Sequence, residues 1–107
     1  MISQISLING AKFGNNNTID CSSFSKVGNM CVFNLQLDTT QLTDFVVAQL
    51  PEELYPKGGR VQRPFTAVDS DGNAYIVWLL YNGTMGFAGE IAYPKKHYVV
   101  ISGVYPC

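Results

Sequence analysis

Phe65-Thr66-Ala67-Val68, Asp69-Ser70-Asp71-Gly72-Asn73, Ala74-Tyr75-Ile76-Val77-Trp78-Leu79-Leu80 and Tyr81-Asn82-Gly83-Thr84 follow one another without a break. They read as strand, turn, strand, turn. Asp-Gly and Asn-Gly favour tight hairpin turns, because such turns need positive φ, which glycine adopts without steric cost. Side chains alternate between the two faces of a strand. Tyr75, Val77 and Leu79 therefore share one face, and Ile76, Trp78 and Leu80 share the other. Both faces are apolar. A small antiparallel fold has one core and buries one face of such a strand. The surplus face, assigned to Ile76, Trp78 and Leu80 with the Tyr75, Val77 and Leu79 face as the alternative, is expected to meet another subunit or a ligand.

The rest of the chain fits this reading. Met30 to Asp38 alternates almost strictly, with Cys31, Phe33, Leu35 and Leu37 inward and Asn34, Gln36 and Asp38 outward. Ile5 to Leu7, Thr18 to Cys21, Phe45 to Leu50, Arg60 to Val68, Met85 to Ile91 and His97 to Val104 read as further strands. Asn9-Gly10, Gly14-Asn15-Asn16-Asn17, Val27-Gly28-Asn29 and Lys57-Gly58-Gly59 punctuate them as turns, and Glu52 to Pro56 as one helical turn. Short strands between regular turn signals predict an all-β fold, an antiparallel, jelly-roll-like β-sandwich of about eight strands. Residues 1–107 form one domain, with no repeat and no linker.

Composition narrows the function. The apolar share is 47% and the charged share only 14%, against about 25% charged in ordinary globular chains. So low a charge suits a surface partly hidden by neighbours. A net charge of −1 leaves no electrostatic footprint for nucleic acid or for an anionic membrane. The longest apolar run, Ala74 to Tyr81, falls far short of the roughly 20 residues of a membrane-spanning helix. Met1 to Gly10 has neither the charged start nor the apolar middle of a signal peptide, so a soluble chain is expected. Cys21, Cys31 and Cys107 make an odd set without a CxxC pair, and structural thiols are expected, with a Cys21–Cys31 bridge across neighbouring strands as the alternative. His97 is the only histidine and no metal-ligand spacing occurs, so no metal or other cofactor is expected.

The order of the punctuation resembles a known family. Lys26-Val27-Gly28-Asn29 leads into an alternating strand, and Leu50-Pro51-Glu52-Glu53-Leu54-Tyr55-Pro56 forms a corner. An Asp71-Gly72 or Asn82-Gly83 hairpin follows, then a terminal Ile101-Ser102-Gly103-Val104-Tyr105-Pro106. From Lys26 to Pro106 the chain resembles the small C-terminal β-sandwich heads of tailed-phage fibre and baseplate proteins, including prophage copies. The resemblance implies a homotrimer in the virion tail, or in the bacterial cytoplasm before assembly. It also implies contact with host cell-wall saccharide and with other tail proteins.

Candidate chemistry is sparse. Glu52, Glu53, Glu90, Asp69 and Asp71 occupy corners, strand ends and turns, with no spacing that predicts the facing carboxyl pair of a glycosidase. Asp69-Ser70-Asp71-Gly72-Asn73 has its glycine at the fourth position rather than the sixth of a calcium loop, and reads as a hairpin turn. Asn16-Asn17-Thr18 and Asn82-Gly83-Thr84 match glycosylation acceptors and, without a secretory signal, read as turns. Aromatic residues crowd the second half, where sugar rings could stack on them. Tyr81, Asn82, Tyr93, Lys95 and His97 are the candidate ligand residues, as stacking faces, donors and acceptors at turns and strand ends. The expected function is a non-enzymatic, saccharide-binding adhesion module. A purely structural virion or assembly role is the main alternative, and a small glycan hydrolase a third.

Overall fold

The computed structural model describes residues 2–14, 18–19, 21–59, 62–88 and 93–107. Nine strands occur among them: β1 Ser6–Leu7, β2 Lys12–Phe13, β3 Ser23–Val27, β4 Met30–Asp38, β5 Val46–Gln49, β6 Arg63–Asp69, β7 Ala74–Leu79, β8 Thr84–Phe87 and β9 Val99–Pro106. Two 3-10 turns, Ile2–Gln4 and Glu52–Leu54, accompany them. All pairings are antiparallel. The fold is all-β, as the sequence predicts.

The strands make one sheet in the order β1-β5-β8-β7-β6-β9-β4-β2, and β3 pairs with β4 on the side where β2 also lies. β1 and β2 stand at opposite ends of that order, yet only residues 8–11 separate them. The Ala11 N–H donates to the Ile8 carbonyl at 3.1 Å, so this connection is tight. Two sheet ends joined by so short a link cannot lie apart. The sheet therefore rolls on itself, and the Ile2–Gln4 turn packs against β3 beside the seam. The result lies between a sandwich and a closed barrel.

The interior is what period-2 patterning dictates. Leu35 and Leu37 of β4, Val77 and Leu79 of β7, Met85 of β8, and Val99 and Ile101 of β9 are fully buried. Burial of each is worth about 1.5–3 kcal/mol relative to exposure. Both hairpin turns form as read, with Gly72 at φ 83° and Gly83 at φ 82°. The Leu50-to-Pro56 corner contains the Glu52–Leu54 turn, and Leu54 enters the core.

Two expectations change. The Thr18-to-Cys21 segment is not a strand where it is described: Thr18 and Cys21 lie in irregular structure, and Asp20 is outside the described residues. Ser23–Val27 is a strand instead. Asn15 to Asn17, Arg60, Glu90 and Ile91 also lie outside the described residues. Finally, the thiols are not all structural thiols, nor do Cys21 and Cys31 pair: Cys31 bonds to Cys107, with Cα atoms 6.0 Å apart. The β4–β9 register explains this. Cys31 faces Tyr105, and the Cys107 N–H donates to the Asn29 carbonyl at 2.9 Å, which carries the chain round to Cys31. Buried disulfides of this kind form where thiols are kept oxidised. Cys21 stands exposed, outside the bridge.

Candidate functional site

Strand β7 sets the geometry. Its inward side chains are Tyr75, Val77 and Leu79, and its outward ones Ile76 and Trp78, followed by Leu80. Ile76 is 54% exposed, whereas Trp78 and Leu80 are half-buried. They are half-buried because a cleft of about 240 Å³ opens on the outer side of β7, β8 and β5. Trp78, Leu80, Phe45 and Val46 line it, with Thr84, Gly86, Phe87 and Gln62.

The cleft has a local cause in the backbone. β5 slips register against β8 between Val46 and Ala48, a bulge that bends the strand. Gly86 lies between Trp78 on one side and Val46 on the other. A Cβ at Gly86 would fall 2.9 Å from the Phe45 carbonyl oxygen, so the close approach of β5 requires glycine. With no side chain there, the space beside Trp78 stays open. Among the described residues no charged side chain lines the cleft. Its volume lies just below the roughly 300–1,000 Å³ of drug-sized ligand pockets, which suits one ring or one side chain.

The five candidate ligand residues do not converge. Tyr81 and Asn82 sit in the β7–β8 turn, where the Asn82 carbonyl accepts from Gln49 Nε2 at 2.8 Å and its Oδ1 from the Thr84 N–H at 3.2 Å. Lys95 and His97 lie on the segment leading into β9, at the β6–β7 turn end. β7 runs between these two ends, and six extended residues span roughly 20 Å. Tyr93 is half-buried and packs on the core. Nearness in sequence to the aromatic second half does not show which end of a strand a turn occupies.

At the β6–β7 turn end, polar groups are densely tied. Asp69 is buried, and its carboxylate accepts from the Asp71 N–H at 2.9 Å and the Asn73 N–H at 3.0 Å. It also accepts from Asn73 Nδ2 at 3.2 Å and the Tyr75 hydroxyl at 2.8 Å. Burial pushes this carboxyl up, but hydrogen bonds from Tyr75, Asn73 and Asp71 prevail and hold it at about 2. The same contact raises the Tyr75 hydroxyl. Lys96 Nζ meets Asp71 Oδ2 at 2.8 Å, and the Lys96 N–H donates to Thr39 Oγ1 at 3.1 Å. Asp38 is raised by burial, but bonds from Thr40 and the neighbouring His97 bring it below its ordinary value. His97 Nδ1 lies 3.4 Å from Asp38 Oδ2. Asp69 thus spends its acceptor capacity on the turn. Exposed residues at this end include Asp71 and Asn73 of the turn and Lys95, His97 and Tyr98 on the segment leading into β9.

Sequence reasoning placed Ile76, Trp78 and Leu80 on one outward face but missed Phe45, Gln62, Thr84 and Gly86. The signal it lacked was the β5 bulge, which no residue pattern in Phe45 to Leu50 announces. Compared with protein-family models, with curated proteins and with solved structures, the chain matches none. The likeness to tail-fibre heads rests on the order of its turns and corners.

Proposed function

We propose that this chain is a non-enzymatic adhesion module of the tail-fibre-head kind, working as a homo-oligomer and binding bacterial surface saccharide at its Asp69 end. The observation that carries the reading is the outward side of β7, where Ile76 stands exposed and Trp78 and Leu80 line a cleft with no charged side chain among the described residues, while the opposite side of β7 already packs into the core. Contiguous exposed apolar surface marks interaction sites. The Asp69 end supports the ligand part. Lys95 and His97 offer donors, Asp38 an acceptor and Tyr98 an amphipathic ring, the mixture a neutral polyol needs. Each site binds weakly, at about millimolar dissociation constant, and repetition within the oligomer supplies the avidity.

Retention of the protein on insoluble bacterial cell-wall polysaccharide tests this. His97→Ala and Lys95→Ala should reduce retention at unchanged melting temperature, whereas Tyr81→Ala, at the far end, should leave it intact. An oligomer that passes through every wall preparation unretained would replace this reading with the purely structural one.

A further inference from the structure

The β5 bulge makes a demand that the cleft's own residues do not meet. In a regular strand successive carbonyls point to opposite edges. Across the bulge two consecutive carbonyls, those of Val46 and Val47, turn to the same edge. Both find donors in the first turn of the chain. The Ile8 N–H donates to the Val47 carbonyl at 2.9 Å, and Asn9 Nδ2 to the Val46 carbonyl at 2.9 Å. The β1 backbone serves the ordinary positions, with Ser6 opposite Gln49 and Leu7 opposite Ala48. The extra carbonyl is therefore met by a side chain. The Asn9 carbonyl in turn accepts from the Thr43 N–H at 2.8 Å and from Thr43 Oγ1 at 3.2 Å. Asn9 thus ties the chain on both sides of Phe45.

Asn9 is also the one non-glycine residue at positive φ among the described residues, at 56°. With Gly10 at φ 87° and the Ala11 N–H on the Ile8 carbonyl, it makes a two-residue Asn-Gly turn. That turn alone would accept glycine at position 9. It does not account for an amide that reaches a carbonyl 37 residues away.

We propose that Asn9 is the positioning residue of the cleft: its amide holds the β5 bulge, and through it the Phe45 and Val46 wall beside Trp78. The other edge of that wall is already fixed. The Phe87 N–H donates to the Phe45 carbonyl at 2.9 Å, and Val46 lies opposite Gly86. Asn9 supplies the second edge. Without its amide the Val46 carbonyl has no donor and must turn to water to find one, which draws the wall off Trp78. The inference rests on the proposed function for what the cleft is for, and on the hydrogen bonds alone for how the cleft is shaped.

Trp78 is the only tryptophan of the chain and lines the cleft, so its fluorescence reports the wall directly. Asn9→Gly keeps the positive φ of the turn and removes the amide. Its Trp78 emission should shift to the red and its acrylamide quenching should rise, in a chain that still melts cooperatively. Asn9→Asp keeps the side-chain length but sets an acceptor against the Val46 carbonyl. It should act in the same direction, and it serves as the test if Asn9→Gly misfolds. Lys12→Ala lies on the far side of the same link, opposite Asp38 of β4, and should leave Trp78 as in wild type. Wild-type emission and quenching in both Asn9 variants would overturn the proposal, and so would an equal shift in Lys12→Ala. Trp78 reads the cleft whether or not anything docks there, so a missing oligomer or missing saccharide retention would fault the proposed function alone.

Discussion

The two ends of the roll are held by different chemistry. At one end Phe24 stacks on Phe33 with centroids 5.2 Å apart, and Phe65 meets Phe33 edge-on at 5.0 Å. Tyr105 borders all three rings, and the Cys31–Cys107 bridge lies beside them in sequence and pairing. The Tyr105 hydroxyl donates to the Leu54 carbonyl at 2.6 Å, and burial pushes that hydroxyl well above the usual phenol range. The other end has no such cluster among the described residues. It is fixed by Asp69 and its turn, by Thr39 with Lys96, and by Asp38 with Thr40. Dense packing and a covalent bridge leave little to present to a ligand. A hydrogen-bonded end can hold its backbone in place and still expose Lys95, His97 and Tyr98.

The contrast breaks most severely at the disulfide. Cys31 and Cys107 are 76 residues apart, and closing a loop of that length should stabilise the fold by about 4 kcal/mol in the chain-entropy account. Cys107→Ser should lower the urea midpoint accordingly, and dithiothreitol should do the same to wild type. A smaller effect is expected at Gly103, where a Cβ would run into the Phe65 ring and press on Phe33. Gly103→Ala should cost about 1–3 kcal/mol through overpacking, read from the same urea curves. Equal tolerance of alanine there and at an exposed loop position would mean that the aromatic cluster yields freely.

At the polar end the expected effect is smaller and depends on pH. Asp69 is held near 2 in the folded chain, below the ordinary carboxylate range near 3.9. Between those values the unfolded chain binds more protons, so this contribution is complete above about pH 4 and fades as pH falls toward 2. Asp69→Asn should flatten the acid limb of a plot of melting temperature against pH. An unchanged acid limb would mean that the turn is held by its backbone alone.

Much of this architecture was legible because period-2 patterning is strong where one face is buried. Met30–Asp38 shows it in full, and the Asp-Gly and Asn-Gly turns fixed the hairpins around β7. Ser23–Val27 was not legible, since only Phe24 in it is buried, and one apolar residue makes no alternation. The Cys31–Cys107 pairing depends on the β4–β9 register, a contact between distant segments that neither segment encodes alone. The candidate site was half legible. The outward face of β7 could be read from its own residues, but the cleft needs a bulge on β5 and a glycine on β8, brought together only by folding.

The bridge between Cys31 and Cys107 also decides how the molecule answers to mechanical load. Tension applied between the start of this chain and Cys107 bypasses everything from Cys31 onward, because the covalent link carries the force directly. Only the first thirty residues, with β1, β2 and β3, could be drawn out, a lengthening of roughly 100 Å at most. The strands that bear the cleft and the polar end would remain slack under that pull.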